Sequence, residues 1–149
     1  MSNDATVTKD LIETLEDGKE GFAKGAEKLA ASNSPEFAAT FRRFSDQRAS
    51  FSSELRGLAQ SHGDDIDEGG SLAGTLHRGW MSLKDALAGS DPDGVLDAAE
   101  QGEDHAVDEY HKALQEDISP ELRVVVERQF TLVKAAHDEV RALRERSSN

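Results

Sequence analysis

At 149 residues the chain has the length of one domain, long enough to bury a substantial core. It has 36% apolar residues, no cysteine, and no apolar run near the roughly 20 residues a membrane-spanning helix needs, which excludes disulfides, thiolate metal sites and cysteine nucleophiles and leaves a cytoplasmic protein as the expectation. A net charge of -13, with the basic residues scattered among acids, excludes nucleic acid and anionic membrane as partners.

The first helix is predicted over Thr6–Ala31. There Leu11, Leu15, Gly18, Phe22, Gly25 and Leu29 recur at helical spacing, and Glu13, Glu16, Glu20 and Glu27 fall on the opposite face. Three further helices open on the stretches "NSPEF", "SDPDG" and "ISPEL", each a Ser or Asp that can cap with its side chain followed by Pro at the first helical position. The second helix, Pro35–Ser61, carries Phe37, Phe41, Phe44, Arg48, Phe51, Leu55, Leu58 and His62 on one stripe, which Arg48 interrupts at its centre. A weaker helix over Ser71–Ala88 sits in a long connection, with Leu76, Trp80, Leu83 and Leu87 on one face and Trp80 as its apolar anchor. The next, Pro92–Asp117, turns Leu96, Ala99, Glu103, Ala106, Tyr110 and Ala113 inward, so that Glu103 stands in mid-stripe while Asp104, His105, Asp108 and Glu109 point away. The last, Pro120–Arg146, has Leu122, Val126, Val133 and Val140 at the centre of its stripe, with Gln129 and His137 flanking Val133. No strand-like alternation interrupts this pattern, so the predicted class is all-α, with one domain over residues 1–149.

Short loops make the first and last pairs of long helices antiparallel hairpins, and the long connection lets the second and fourth helical segments run parallel. Arg48 then lies thirteen residues after Pro35 and Glu103 eleven after Pro92, a difference in level of about 3 Å at a rise of about 1.5 Å per residue. Gln129 and His137 fall about one turn to either side of that layer, and Gly18, Gly21 and Gly25 face it. Burial of an isolated charge is costly, whereas a guanidinium fork facing a carboxylate satisfies both groups. The expected centre is therefore an Arg48–Glu103 ion pair, hydrogen-bonded to Gln129 or His137, with Tyr110 as a further hydrogen-bonding group.

Four long helices, a long crossover and a polar centre resemble the ferritin-like superfamily, whose members often bind two iron or manganese ions between the helices. More closely, "LEDGKEGF", "HRGW" and "EQGEDHAVDEYHKAL" look like a bacterial family of ferritin-like four-helix-bundle proteins of unassigned function, over nearly the whole chain. The resemblance implies a ferritin-like four-helix bundle with an extra short helix in its crossover. The di-metal version of that fold places one Glu on each of two helices and Glu-x-x-His on each of the other two. Here Gly18 and Gly25 stand where the first helix needs an inward Glu, Arg48 stands on the second, and Lys134 lies three residues before His137. Only Glu103 and His137 remain as metal ligands, too few to offset the charge of two ions. The expectation is accordingly no cofactor, with iron, manganese or zinc as the alternative.

The acidic run "DDIDEGGS" fails as a calcium loop, because Gly69 and Leu76 occupy ligand positions counted from Asp65. His77 and Arg78 beside Trp80 fit surface caps or pairs with acids. The functional expectation is a non-catalytic protein of assembly, partner binding or stress physiology. A metal-dependent oxidase or metal-storage protein is the first alternative, and a small-ligand carrier using the polar layer the second. Val124, Phe130 and Leu132 give the last helix more apolar surface than one stripe needs, which predicts a homodimer and leaves any other protein partner unassigned.

Overall fold

The computed structural model describes residues 3–61, 79–89 and 92–147, and among them every regular element is an α-helix. The helices are α1 (Asp4–Ala31), α2 (Pro35–Ser61), α3 (Ser82–Ala88), α4 (Pro92–Leu114) and α5 (Pro120–Ser147). Pro35, Pro92 and Pro120 are each the first residue of their helix, as a residue with fixed φ and no N–H to lose should be. At α5 the cap is explicit: Ser119 Oγ accepts from the Leu122 amide at 3.3 Å.

Two boundaries depart from expectation. Helix α4 ends at Leu114 rather than Asp117, because the Gln115 and Glu116 amides bond back to Lys112 and Ala113 and tighten the chain into the turn before α5. Helix α3 begins only at Ser82, and Gly79, at φ +80, takes the chain out of helical geometry just before Trp80. The earlier part of the expected Ser71–Ala88 helix, with Leu76, His77 and Arg78, lies outside the described residues, as do His62, Asp65 and Gly69. None of the described helices is long and apolar enough to cross a membrane.

Side-chain pairs fix the directions of the long helices. Along α2 and α5, Glu36 meets Arg146 at 3.9 Å, Arg43 meets Glu139 at 2.6 Å and Glu54 meets Arg128, so the two run antiparallel. Asp97 with Arg144, and Tyr110 with Gln129, give the same result for α4 and α5. Helices α2 and α4 therefore run parallel, the orientation that the long connection requires. Each long helix packs against two antiparallel neighbours, with α2 and α4 on a diagonal.

The core divides into two apolar clusters. One gathers Phe22, Leu29, Phe41, Phe44, Trp80, Leu96 and Val140; the other gathers Leu11, Leu15, Phe51, Leu55, Tyr110, Val126 and Val133. On α1, α2 and α4 an inward polar position lies between the two clusters in sequence: Asp17 and Gly18, Arg48, and Glu103; on α5 the buried Gln129 lies within the second cluster, between Val126 and Val133. Hydrophobic burial drives both ends of this stack together, and the polar layer then has to be satisfied from within.

Candidate functional site: a buried polar layer

Arg48 reaches across the diagonal from α2 to Glu103 on α4. Its Nη1 donates to Glu103 Oε1 at 2.5 Å and its Nη2 to Glu103 Oε2 at 2.8 Å, so both carboxylate oxygens are held by one guanidinium. The two side chains are 1% and 0% exposed. The remaining guanidinium donor, Nε, reaches Gln47 Oε1 at 3.1 Å, and the guanidinium carbon lies 5.4 Å from the centre of the Phe22 ring. Gly18 on α1 lies against the long side chain, and a Cβ there would make ordinary contact with it, 3.5 Å from Nη1 and 3.6 Å from Cγ. Burial works against the charge on Arg48, but the adjacent Glu103 outweighs it and holds the guanidinium proton more firmly than usual.

Gln129 and Tyr110 form a second group on the far side of the layer. The Tyr110 hydroxyl donates to Gln129 Oε1 at 2.7 Å, while Gln129 Nε2 donates to Glu54 Oε1 at 2.9 Å and to the Phe51 carbonyl at 3.3 Å. Glu54 is tied in turn to Arg128. Burial pushes the Tyr110 phenol well above its ordinary range, with Glu54 and Glu103 adding to the shift and Arg48 opposing it, so the phenol stays a donor. Tyr110→Phe should cost about 1–3 kcal/mol in urea unfolding, because it leaves the buried Gln129 carbonyl without a donor. A loss within experimental error would mean that the amide turns over to another partner.

His137 is not in the layer. It sits at the margin of the α4–α5 seam, where Nε2 lies 2.6 Å from Asp104 Oδ1 and Nδ1 lies 3.2 Å from Asp138 Oδ1. One turn beyond Val133 the stripe has rotated far enough to leave the ring half-buried, and the nearest acids are surface ones. Burial pulls its pKa down, but the hydrogen bonds to Asp104 and Asp138 outweigh this and raise it above the ordinary imidazole range. A group whose pKa is raised on folding stabilises the fold fully below its unfolded pKa, about 6.5, and loses that contribution as pH rises through the folded value. The urea midpoint of the native chain should therefore fall slightly as pH rises through and above neutrality, and His137→Gln should flatten that slope. An unchanged slope would contradict the assignment.

A di-metal centre does not fit these residues. Both oxygens of Glu103 are taken by a permanent cation, His137 is engaged by two other carboxylates, and Gly18 offers no ligand. Among the described residues, no group of three His, Asp or Glu side chains is placed to hold a metal. Two surface clefts of about 190 and 250 Å³ lie at the ends of the stack, one between Asp10 and Glu109 and the other around Pro35, and neither is lined by Arg48 or Glu103.

Beside the ion pair, Trp80 enters the stack from outside the helices. Its ring lies between Gly21 on α1 and Gly102 on α4, where a Cβ at either position would overlap the indole, and it meets Phe22 edge-on at 5.0 Å. Gly25 instead faces Phe41 and Val95, so of the three glycines on α1 only Gly18 lies against Arg48. Periodicity also left Asp17 and Glu54 unassigned. Asp17 is buried beside Gly18, and Glu54, next to the seam residue Leu55, anchors Gln129. Their signal was adjacency to an inward residue, which on a helix surface is also shared by many solvated acids.

Fold and layer together define a helical protein whose centre is closed by an internal ion pair. A family described as a domain of unknown function (DUF2383) matches residues 5–116, and the chain belongs to that family. None of the curated proteins matches it. The matched span holds the whole of "LEDGKEGF", "HRGW" and "EQGEDHAVDEYHKAL", and with them Gly21, Trp80, Gly102 and Glu103. Helix α5 lies beyond it.

Proposed function

We propose that the chain is a ferritin-like four-helix-bundle protein that works by association rather than by catalysis, in assembly, partner binding or stress physiology. The observation that carries this reading is the two-pronged Arg48–Glu103 bond, which puts a guanidinium in the layer where such a bundle would otherwise gather metal ligands. A permanent cation there satisfies the carboxylate, sets the relative level of α2 and α4, and leaves no open coordination position. Metal analysis of protein purified without chelators tests it: stoichiometric iron, manganese or zinc bound at Glu103 would overturn the reading in favour of a metal-dependent oxidase or storage protein.

The first partner we assign is a second copy, bound through the outer face of α5. Support comes from Val124 and Leu132, large apolar side chains that remain 67% and 41% exposed. Phe130 does not contribute as the sequence suggested, because it is half-buried and stacks parallel to Tyr110 at 6.3 Å. Light scattering should give a dimer mass for the native chain and a monomer for Val124→Asp combined with Leu132→Asp. A monomer at high concentration for the native chain would refute this face.

A further inference from the structure

We propose that the segment 79–89 is a releasable plug, and that the slot its Trp80 fills is a binding site for a flat aromatic ring, which the chain occupies with its own side chain. Three observations point there. First, Gly21 and Gly102 lie inside long helices and neither has a positive φ, so nothing in their backbone requires glycine. At both positions the atoms that a Cβ would meet first, at under 3.0 Å, belong to the Trp80 ring. The long helices thus leave a gap one indole thick, walled by backbone on both faces, with Phe22 across its end.

Second, the residue that fills this gap arrives on a lightly held segment. Of residues 79–89 only Trp80 and Leu83 are buried, Ala86 and Leu87 are half-buried against the core, Met81 is 65% exposed, and among the described residues the side-chain hydrogen bond is Ser82 Oγ to Gln101 Oε1 at 3.0 Å. Helix α3 packs on α1 and α4 without extensive contact with α2 or α5, so lifting it leaves the packing of the long helices on one another in place. An element with so little buried surface opens at a lower free energy than the whole fold.

Third, the gap leads to the ion pair. Gly102 immediately precedes Glu103, and the Phe22 ring that meets Trp80 on one side lies 5.4 Å from the Arg48 guanidinium on the other. Release of the plug therefore opens a flat, apolar slot whose inner end borders the buried charges. Entry of an aromatic ligand and departure of Trp80 are one event, and the docked plug weakens that ligand by the fraction of time the slot is open.

Trp80 is the sole tryptophan of the chain, so its emission reports the plug directly. In urea, Trp80 fluorescence should shift at a lower concentration than the helical circular dichroism signal; coincident transitions would overturn release. Indole is the probe for the slot. Added to Trp80→Gly it should raise the melting temperature by several degrees, and Gly102→Ala in that background should abolish the rise. The native chain should bind indole about 100-fold more weakly or worse, as expected if the slot is open 1% of the time or less. A folded Trp80→Gly that ignores indole, or a rise that survives Gly102→Ala, would overturn the slot. Failure of Trp80→Gly to fold would overturn release, since the long helices would then depend on the plug.

Discussion

Replacing Arg48 with Met is expected to lower the unfolding free energy by about 3–5 kcal/mol at neutral pH, the range for stranding one member of a buried pair. Glu103 is fully buried and takes both its hydrogen bonds from this guanidinium. Met fills the space of the arginine stem against Gly18 and Phe22, so the loss reports the stranded carboxylate rather than a cavity. Adding Glu103→Leu should then recover most of the loss, because well-packed apolar replacements of a buried pair are often neutral or stabilising. The pair on this account sets the level of α2 against α4 more than it adds stability. Urea unfolding of the single and double variants measures both quantities, and a single-variant loss below about 1 kcal/mol would mean that Glu103 has found water or another donor.

Trp80→Ala is expected to cost on the order of 3 kcal/mol, within the range for truncating a large core aromatic. The cost is high because the walls of the vacated slot are the backbones of α1 and α4 at Gly21 and Gly102, which cannot collapse onto it without moving whole helices. Met81→Ala, one residue away but exposed, should be near neutral. Unfolding followed by circular dichroism separates the two. Equal effects would mean that the indole is not the anchor.

Much of this architecture was legible in local rules. Pro35, Pro92 and Pro120 mark helix starts because proline costs nothing at the first helical position, and the structure begins each helix on them. The inward stripe of α4 was equally plain, since Leu96, Ala99, Glu103, Ala106, Tyr110 and Ala113 keep one face and all are buried. Once α2 and α4 were set parallel, level counting brought Arg48 to Glu103. It failed for His137, two turns further along α5 than Gln129, where a few tens of degrees of rotation decide between the layer and the seam.

The Trp80 slot was not legible at all. Gly21, Trp80 and Gly102 are far apart in sequence, and nothing in helical spacing says that two glycines on different helices make space for one ring carried by a third segment. Read singly, Gly21 signalled only a position facing the polar layer, and Trp80 only a helical anchor. The complementarity belongs to the tertiary structure.

The most direct test of the central claim is a double-mutant cycle over the native chain, Arg48→Met, Glu103→Leu and the combined variant, each unfolded in urea with and without added iron, manganese or zinc. An internal ion pair predicts strong coupling, the double variant being far more stable than the sum of the single losses allows, and no response to metal. Additive single losses, or a metal-dependent gain in stability that Glu103→Leu removes, would contradict it.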